Sequence, residues 1–196
     1  AELQKINKDF ATSQRFKFAE VRMKEPFKLR LESTVEDTKI TFVVNGTQKW
    51  VRIPRSNLTV KENVAKSPGK RQTILDFGLL APSLFDGLFQ AAYVRNDRTL
   101  NTPVFDLTYV PALKDKTRQR IWVDPEKHFI IKREWYSQLD SRLQATFTYS
   151  EPVKVNGVWF PTKLVVRNAD NKIAGQSSYS NPKINEGIAE SFFTIK

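Results

Sequence analysis

The sequence predicts a mainly β fold with some α-helix: an open, curled antiparallel β-sheet, or half-barrel, covered by a helical lid. Short apolar runs of strand length alternate with polar residues along most of the chain, and tight turns join them. Asn-Gly pairs at 45–46 and 156–157 stand between such runs. This pair favours a hairpin because both turn positions need a positive φ. One charge-poor stretch, residues 72–92, instead has apolar residues at helical spacing.

The strand pattern is clearest in residues 118–150, where polar turns at 124–127 and 138–141 separate three apolar-rich runs. In the last run, polar residues alternate with the apolar set Leu143, Ala145, Phe147 and Tyr149. A period of two places the two sets on opposite faces of a strand. We therefore predict an antiparallel meander with one aromatic face, which the rest of the chain must cover.

In chain order, a short amphipathic helix in residues 1–10 precedes about nine to eleven strands. The predicted strands occupy residues 15–23, 27–31, 39–44, 48–53, 102–110, the three runs of 118–150, and 152–155, 158–167 and 173–180. Leu58 and Val60 are candidates to extend the sheet. Short connections imply antiparallel neighbours, and a sheet this wide is expected to curl. Residues 61–71 are polar and basic and are predicted to form a loop.

Residues 72–92 are predicted to form two short helices with a bend at Pro82-Ser83. Proline removes a hydrogen bond inside a helix, and serine is a good N-cap. Two interpretations stay open: a pair of core helices on the sheet, or a mobile cover over a cavity. The lid candidates are Ile74, Phe77, Leu80, Leu84, Phe85 and Leu88.

Composition restricts the function without naming it. The 196 residues are 40% apolar and contain no evident linker, so one domain spanning residues 1–196 is expected. A formal net charge of +11 favours anionic partners such as nucleic acid, a membrane surface, acidic lipid or acidic protein. The basic residues mostly alternate with apolar ones, as on the water-facing side of a sheet, which favours a solvated surface. No apolar run approaches the roughly 18 residues of a membrane span.

The residues that carry chemistry do not form a recognisable site. The chain has no cysteine and one histidine, His128, so neither a metal site nor a cofactor is predicted. Its carboxylates lack a paired spacing, and no nucleophile elbow, phosphate loop or dinucleotide-binding glycine pattern is present. The sequence therefore predicts no catalytic residues. Aromatic residues beside basic ones in residues 132–136 can stack on bases, but strand packing explains them, and no nucleic-acid partner is predicted.

Four motifs, in order, resemble the LolA-like proteins, the periplasmic lipoprotein-sorting carriers and their relatives. The motifs are residues 24–30 (KEPFKLR), residues 45–51 (NGTQKWV), residues 105–111 (FDLTYVP) with 121–124 (IWVD), and residues 158–162 (VWFPT) with 185–195 (NEGIAESFFTI). Together they span most of the chain. The resemblance implies a half-closed barrel with a helical lid over a hydrophobic cavity that binds the acyl chains of a lipoprotein or a lipid.

The resemblance also implies a place in the bacterial envelope, either in the periplasm or at the outer membrane. Membrane-bound donor and acceptor proteins are the implied partners, with transient contact to the membrane surface, and a monomer is expected. In carriers of this family an arginine near the early proline motif holds the lid closed, and Lys24 is the nearest match here. The alternative is an envelope-stress sensor or a regulatory protein-binding module of the same fold.

The predicted cavity wall is aromatic and aliphatic. Its members are Phe42, Trp50, Phe105, Tyr109, Ile121, Ile131, Trp135, Phe147 and Tyr149. Removing an acyl chain from water is worth about 0.8 kcal/mol per methylene, so such a wall gives affinity without fixing the identity of the lipid.

Overall fold

A computed structural model describes residues 2–6, 17–35 and 37–194. It has two antiparallel sheets rather than one curled sheet, so the strand type is confirmed and the single sheet is wrong. The N-terminal sheet follows chain order, with strands β1 (Ala19–Lys24), β2 (Lys28–Val35), β3 (Thr38–Asn45), β4 (Gln48–Ile53) and β5 (Leu58–Asn63).

The C-terminal sheet has seven strands, also paired in chain order. These are β6 (Phe89–Asp97), β7 (Thr102–Tyr109), β8 (Arg118–Val123), β9 (Ile130–Tyr136), β10 (Leu143–Val155), β11 (Val158–Asn168) and β12 (Ile173–Ser178). Neither sheet closes on itself, and no strand pairing among the described residues joins one sheet to the other. The architecture is therefore open, as the half-barrel prediction required.

Both predicted hairpins form, but the turn positions of the first are Gly46 and Thr47 rather than Asn45 and Gly46. Asn45 pairs with Gln48 across the turn between β3 and β4, where Gly46 has φ +60°. Val155 pairs with Val158 across the turn between β10 and β11, where Asn156 and Gly157 both have positive φ. These turns fix the register of their strands, because a two-residue loop leaves no choice of partners.

The predicted N-terminal helix is the α-helix α1 (Glu2–Ile6); residues 7–10 of that prediction lie outside the described residues. Ile6 is buried in the core on the C-terminal sheet. Near the other end of the chain, a 3₁₀ turn at Glu190–Phe193 packs on β2 and β3. Phe193 is fully buried there, and the Asn45 side chain donates a hydrogen bond to its carbonyl oxygen.

Residues 64–88, here called the crossing segment, connect the two sheets. The two α-helices predicted in this region are wrong: it contains single 3₁₀ turns at Pro68–Lys70, Ile74–Phe77 and Pro82–Phe85. Gly78 and Gly87 have φ of +77° and +76°, and Pro82 lacks a donor, so an α-helix cannot continue through them. The last residues of the predicted helical stretch, from Phe89 onward, form β6 instead.

Candidate functional site

An open cleft of about 2740 Å³ lies between the two sheets. This is larger than the roughly 300–1,000 Å³ of a small-molecule pocket. The N-terminal sheet contributes aliphatic and aromatic side chains, and the crossing segment covers part of the other wall. The C-terminal sheet, residues 179–189, Phe192 and Leu3 also line the cleft. Its apolar lining includes Val21, Met23, Leu31, Phe42, Val51, Trp135, Phe147 and Leu164.

Most predicted wall residues share one face of the C-terminal sheet. One row of pairs runs from Phe105 through Ile121 and Arg133 to Phe147. On the same face, Trp135 pairs with Ala145. Of the predicted set on this sheet, those that line the cleft are Tyr109, Trp135 and Phe147. The structure therefore brings these three residues to the open space but not the other members on this sheet.

The other four predicted wall residues on the C-terminal sheet do not reach the open space of the cleft. Ile121 and Tyr149 are buried in the core under the crossing segment. Phe105 is half-buried and meets Tyr93 edge to face with ring centroids 5.8 Å apart. Ile131 lies at an irregularity in the β8–β9 pairing and packs, half-buried, against the same core.

Phe42 lines the cleft, but the prediction for Trp50 is wrong. The β3–β4 turn pairs Phe42 with Val51, and Val43 with Trp50. Adjacent residues of a strand point to opposite faces, so Trp50 lies on the face of the N-terminal sheet turned away from the cleft. Counting the strand pairing back from the hairpin turn places Phe42 and Trp50 on opposite faces, so the sequence contained this information.

The lid candidates divide in the same way. Those that line the cleft are Ile74, Phe77, Leu80 and Leu88. Leu84 is completely buried in the core, and Phe85 is 42% exposed without facing the cleft. Residues of the crossing segment therefore do cover the aromatic face, but as an irregular chain rather than as helices.

A buried ion pair fastens the crossing segment to the sheet. Arg133, at the centre of β9, pairs with Asp76, with 3.0 Å between Nη1 and Oδ1. The guanidinium lies 4.0 Å from the Phe147 ring centroid. Burial lowers the pKa of Arg133, but Tyr149 and Asp76 outweigh that effect, so the pKa is raised and the arginine stays charged.

Three further hydrogen bonds support this attachment. The Tyr149 hydroxyl lies within hydrogen-bond distance of the carbonyl oxygens of Leu75 and Asp76, at 3.3 and 3.4 Å. The amide of Ile130 donates to the carbonyl oxygen of Gly78 at 2.8 Å. Burial raises the pKa of the Tyr149 phenol to about 12, so it remains a donor at neutral pH.

The sequence reasoning missed Arg133. It lies between Ile131 and Trp135, both assigned to the inner face, and the period of two places a charged side chain on that face. A charged side chain there needs a partner, because an unpaired buried charge is costly. The alternation of inward and outward residues in β9 therefore already indicated that Arg133 needs an acidic partner.

Lys24 makes a different attachment from the one predicted. Its Nζ donates to the carbonyl oxygen of Ile188 at 2.9 Å and pairs with Glu190 at 2.8 Å. Lys24 therefore fastens the tail of the chain to β1, and its role as a latch of the lid stays a prediction. Its neighbour Glu25 instead accepts a hydrogen bond from Ser83 of the crossing segment.

The described residues include no group of three or more His, Asp or Glu side chains able to hold a metal ion. No helix in the described ranges is long and apolar enough to cross a membrane.

Three solved structures share this fold. A domain of a "putative outer membrane lipoprotein-sorting protein" from Vibrio parahaemolyticus has a TM-score of 0.65 and 12% identity, covering 89% of this chain and 79% of its own. A DUF1329 family protein from Desulfovibrio piger has a TM-score of 0.61 and 16% identity, covering 90% and 79%. A LolA superfamily protein from Nitrosomonas europaea has a TM-score of 0.51 and 17% identity, covering 100% and 98%.

These similarities, with the open two-sheet architecture, show that the fold is LolA-like, as the sequence motifs predicted. A family model described as "Uncharacterized protein" matches residues 85–196, more than half of the chain. The chain belongs to that family, whose matched region covers all seven strands of the C-terminal sheet and the end of the crossing segment. No curated protein sequence matches the chain.

Proposed function

We propose that this protein binds the acyl chains of a lipoprotein or a lipid in its cleft and carries them across the cell envelope. The observation that supports this most is the open cleft of about 2740 Å³ lined by aliphatic and aromatic side chains from both sheets. At about 0.8 kcal/mol per buried methylene, twelve sheltered methylenes are worth roughly 10 kcal/mol before ordering costs. The lipoprotein-sorting name of one fold relative agrees with this proposal.

In this proposal residues 1–196 form one lipid-binding domain that works as a monomer in the periplasm or at the outer membrane. It exchanges cargo with membrane-bound donor and acceptor proteins and touches the membrane only transiently. It has no catalytic residue, metal or cofactor, and nucleic acid is not its partner. The excess of basic residues on the chain favours approach to anionic lipid surfaces.

The experiment is native mass spectrometry of the protein purified from its own cells, with lipid extraction of the same sample. A defined added mass or a co-purifying lipid is expected. Leu80→Arg places a charge on the cleft lining and is expected to abolish uptake of a fluorescent fatty acid. Leu139→Arg, at a turn where the side chain is 91% exposed, is the matched control and keeps uptake. An empty wild-type protein that also takes up no fatty acid sinks the proposal.

One observation favours the sensor or protein-binding alternative. Strand β6 is an edge strand of its sheet and, within the described part of the chain, pairs only with β7. Tyr93 and Val94 on it are 63% and 37% exposed. An exposed strand edge can add a strand from a partner protein. A copurifying protein lost from Val94→Pro, together with an empty cleft, is the result that selects this alternative.

A further inference from the structure

Among the described residues three arginines line the cleft, Arg22, Arg71 and Arg133, and two of them have anionic partners. Arg22 pairs with Glu20 and Glu32. Arg133 pairs with Asp76, as described above. Arg71, on the crossing segment, lines the cleft and makes no ion pair with any described carboxylate. Its guanidinium instead stands 5.2 Å from the ring centroid of Phe27.

The guanidiniums of Arg71 and Arg133 leave donors unused within the structure. The Nε atoms of Arg71 and Arg133 are both buried, and neither has a hydrogen-bond partner among the described residues. Arg133 is only 4% exposed. A buried donor left unsatisfied costs about 1–3 kcal/mol, more for a charged group, so both nitrogens favour an acceptor that the chain itself does not supply.

The charges of both Arg71 and Arg133 act on the pKa of the Tyr109 phenol. Burial raises the pKa of its phenol, Asp115 and Asp76 raise it further, and Arg133 and Arg71 act in the opposite direction. Burial also lowers the pKa of Arg71, which only Tyr109 partly offsets. Asp115 accepts a hydrogen bond from the Thr117 amide and forms no ion pair with Arg71. Beside Tyr109, the guanidinium of Arg71 is therefore a positive charge that no described carboxylate pairs with.

We propose that Arg71, supported by Arg133, binds the single negative charge of a lipid headgroup while the acyl chains of that lipid occupy the apolar cleft. A carboxylate or a phosphodiester suits the planar fork of a guanidinium, which offers two parallel donors. Acyl chains joined only through uncharged ester and amide groups leave this charge unmatched. The inference rests on the proposed lipid-binding function and narrows its cargo to monoanionic amphiphiles.

The test measures dissociation constants of the full chain for paired probes that differ only in headgroup charge. Hexadecanoate is compared with its methyl ester, and dipalmitoyl phosphatidylglycerol with dipalmitoylglycerol. The wild type is expected to bind each anion about tenfold or more tightly than its neutral counterpart, because charge-assisted hydrogen bonds are worth more than neutral ones. The pair with the larger ratio of neutral to anionic dissociation constants shows whether the site prefers a carboxylate or a phosphodiester.

Arg71→Gln is expected to bring the ratio of the two affinities close to one, mainly by weakening the binding of the anionic probes. Arg98→Gln removes the same charge from the exposed turn between β6 and β7 and is expected to change neither. Equal affinity of the wild type for charged and neutral probes overturns the inference and leaves the lipid-binding function standing. Failure to bind any of the four probes counts against the lipid-binding function itself. The comparison of charged and neutral probes on the wild type tests the inference by itself, even if a variant folds poorly.

Discussion

Asp76 and Arg133 join the crossing segment to the centre of the C-terminal sheet through an ion pair with 3.0 Å between the charged groups. The arginine side chain is 5% exposed and the aspartate side chain 34%. Asp76 also accepts a hydrogen bond from the Thr73 amide at 3.0 Å, which completes a capping box around its own turn. One carboxylate thus stabilises the turn and attaches it to the sheet.

We expect Asp76→Asn to lower the free energy of unfolding by roughly 3 kcal/mol, because it leaves the buried Arg133 charge uncompensated. Denaturant unfolding measures this value. The control is Asp140→Asn, which breaks an exposed pair with Arg142 and is expected to cost less than about 1 kcal/mol. An equal loss of unfolding free energy in the two variants would show that the Asp76–Arg133 pair stabilises the protein no more than an exposed pair does.

Gly78 provides a second test of the crossing segment, this time of its packing. A Cβ at residue 78 would lie 2.7 Å from Cδ1 of Tyr149, and the φ of +77° is itself unfavourable for alanine. Gly87 has nearly the same φ but open space around it. Gly87→Ala is expected to cost about 1–2 kcal/mol from the backbone alone, and Gly78→Ala about 1–3 kcal/mol more from the clash.

Denaturant unfolding of both glycine variants, side by side, separates the two terms. The difference between them is the packing cost against the Tyr149 ring, since the backbone strain is common to both. A difference near zero would mean that the crossing segment is not seated on Tyr149 in solution.

The hairpins and the strand alternation made the strands predictable, because a period of two and an Asn-Gly turn are local properties. Residues 64–88 were not predictable in the same way. This segment packs against the core, so its apolar residues are dense enough to mimic a helical period. Gly78 and Gly87 favour left-handed backbone instead, and that preference prevailed over the periodicity.

The candidate site shows the same limit. The aromatic face of the C-terminal sheet followed from alternation, and its cleft-lining members were identified together. Trp50 was placed on the wrong face because the composition of a motif was given more weight than the register of its hairpin. Arg71 carries no sequence signal at all: only the fold brings residues so far apart in the chain, such as Arg71 and Arg133, to the same cleft.

The tryptophans allow the two faces to be told apart in solution. Trp135 lines the cleft, whereas Trp50 lies on the far face of the N-terminal sheet. In variants that keep one of the four tryptophans and carry phenylalanine at the others, a brominated fatty acid is expected to quench Trp135 fluorescence strongly and Trp50 fluorescence little. Steady-state titration measures both. Stronger quenching of Trp50 would place the lipid outside the cleft.

Acid titration tests the attachment of the tail. Hydrogen bonds from Lys24 and Lys28 lower the pKa of the Glu190 carboxyl from an ordinary 4.5 to about 2. Because the folded pKa is lowered, the stabilising effect is complete above pH 4.5 and is lost as the pH falls toward 2. We expect hydrogen exchange in residues 188–194 to accelerate over this window. Glu190→Gln should show the faster exchange already at neutral pH.

Lys24→Gln checks the same attachment from the other side. It is expected to raise the pKa of Glu190, read by NMR titration of the carboxyl group, because one of the two stabilising cations is gone. Lys183→Gln, which removes a charge from an exposed pair elsewhere in the tail, should leave that pKa unchanged. An unchanged pKa in Lys24→Gln would contradict the role of Lys24 as the anchor of the tail.

In the described part of the chain, no main-chain ladder bridges the N-terminal and C-terminal sheets, so the width of the cleft is held by side chains and by connecting segments. Changing that width exposes or buries apolar surface at roughly 25 cal/mol per Å² but breaks no sheet hydrogen bond. A cleft held in this way can widen gradually. On the proposed function, it therefore sets no sharp upper limit on the length of a bound acyl chain. Affinity should therefore rise smoothly with acyl chain length, and any sharp discrimination between lipids must come from the charged groups on the wall.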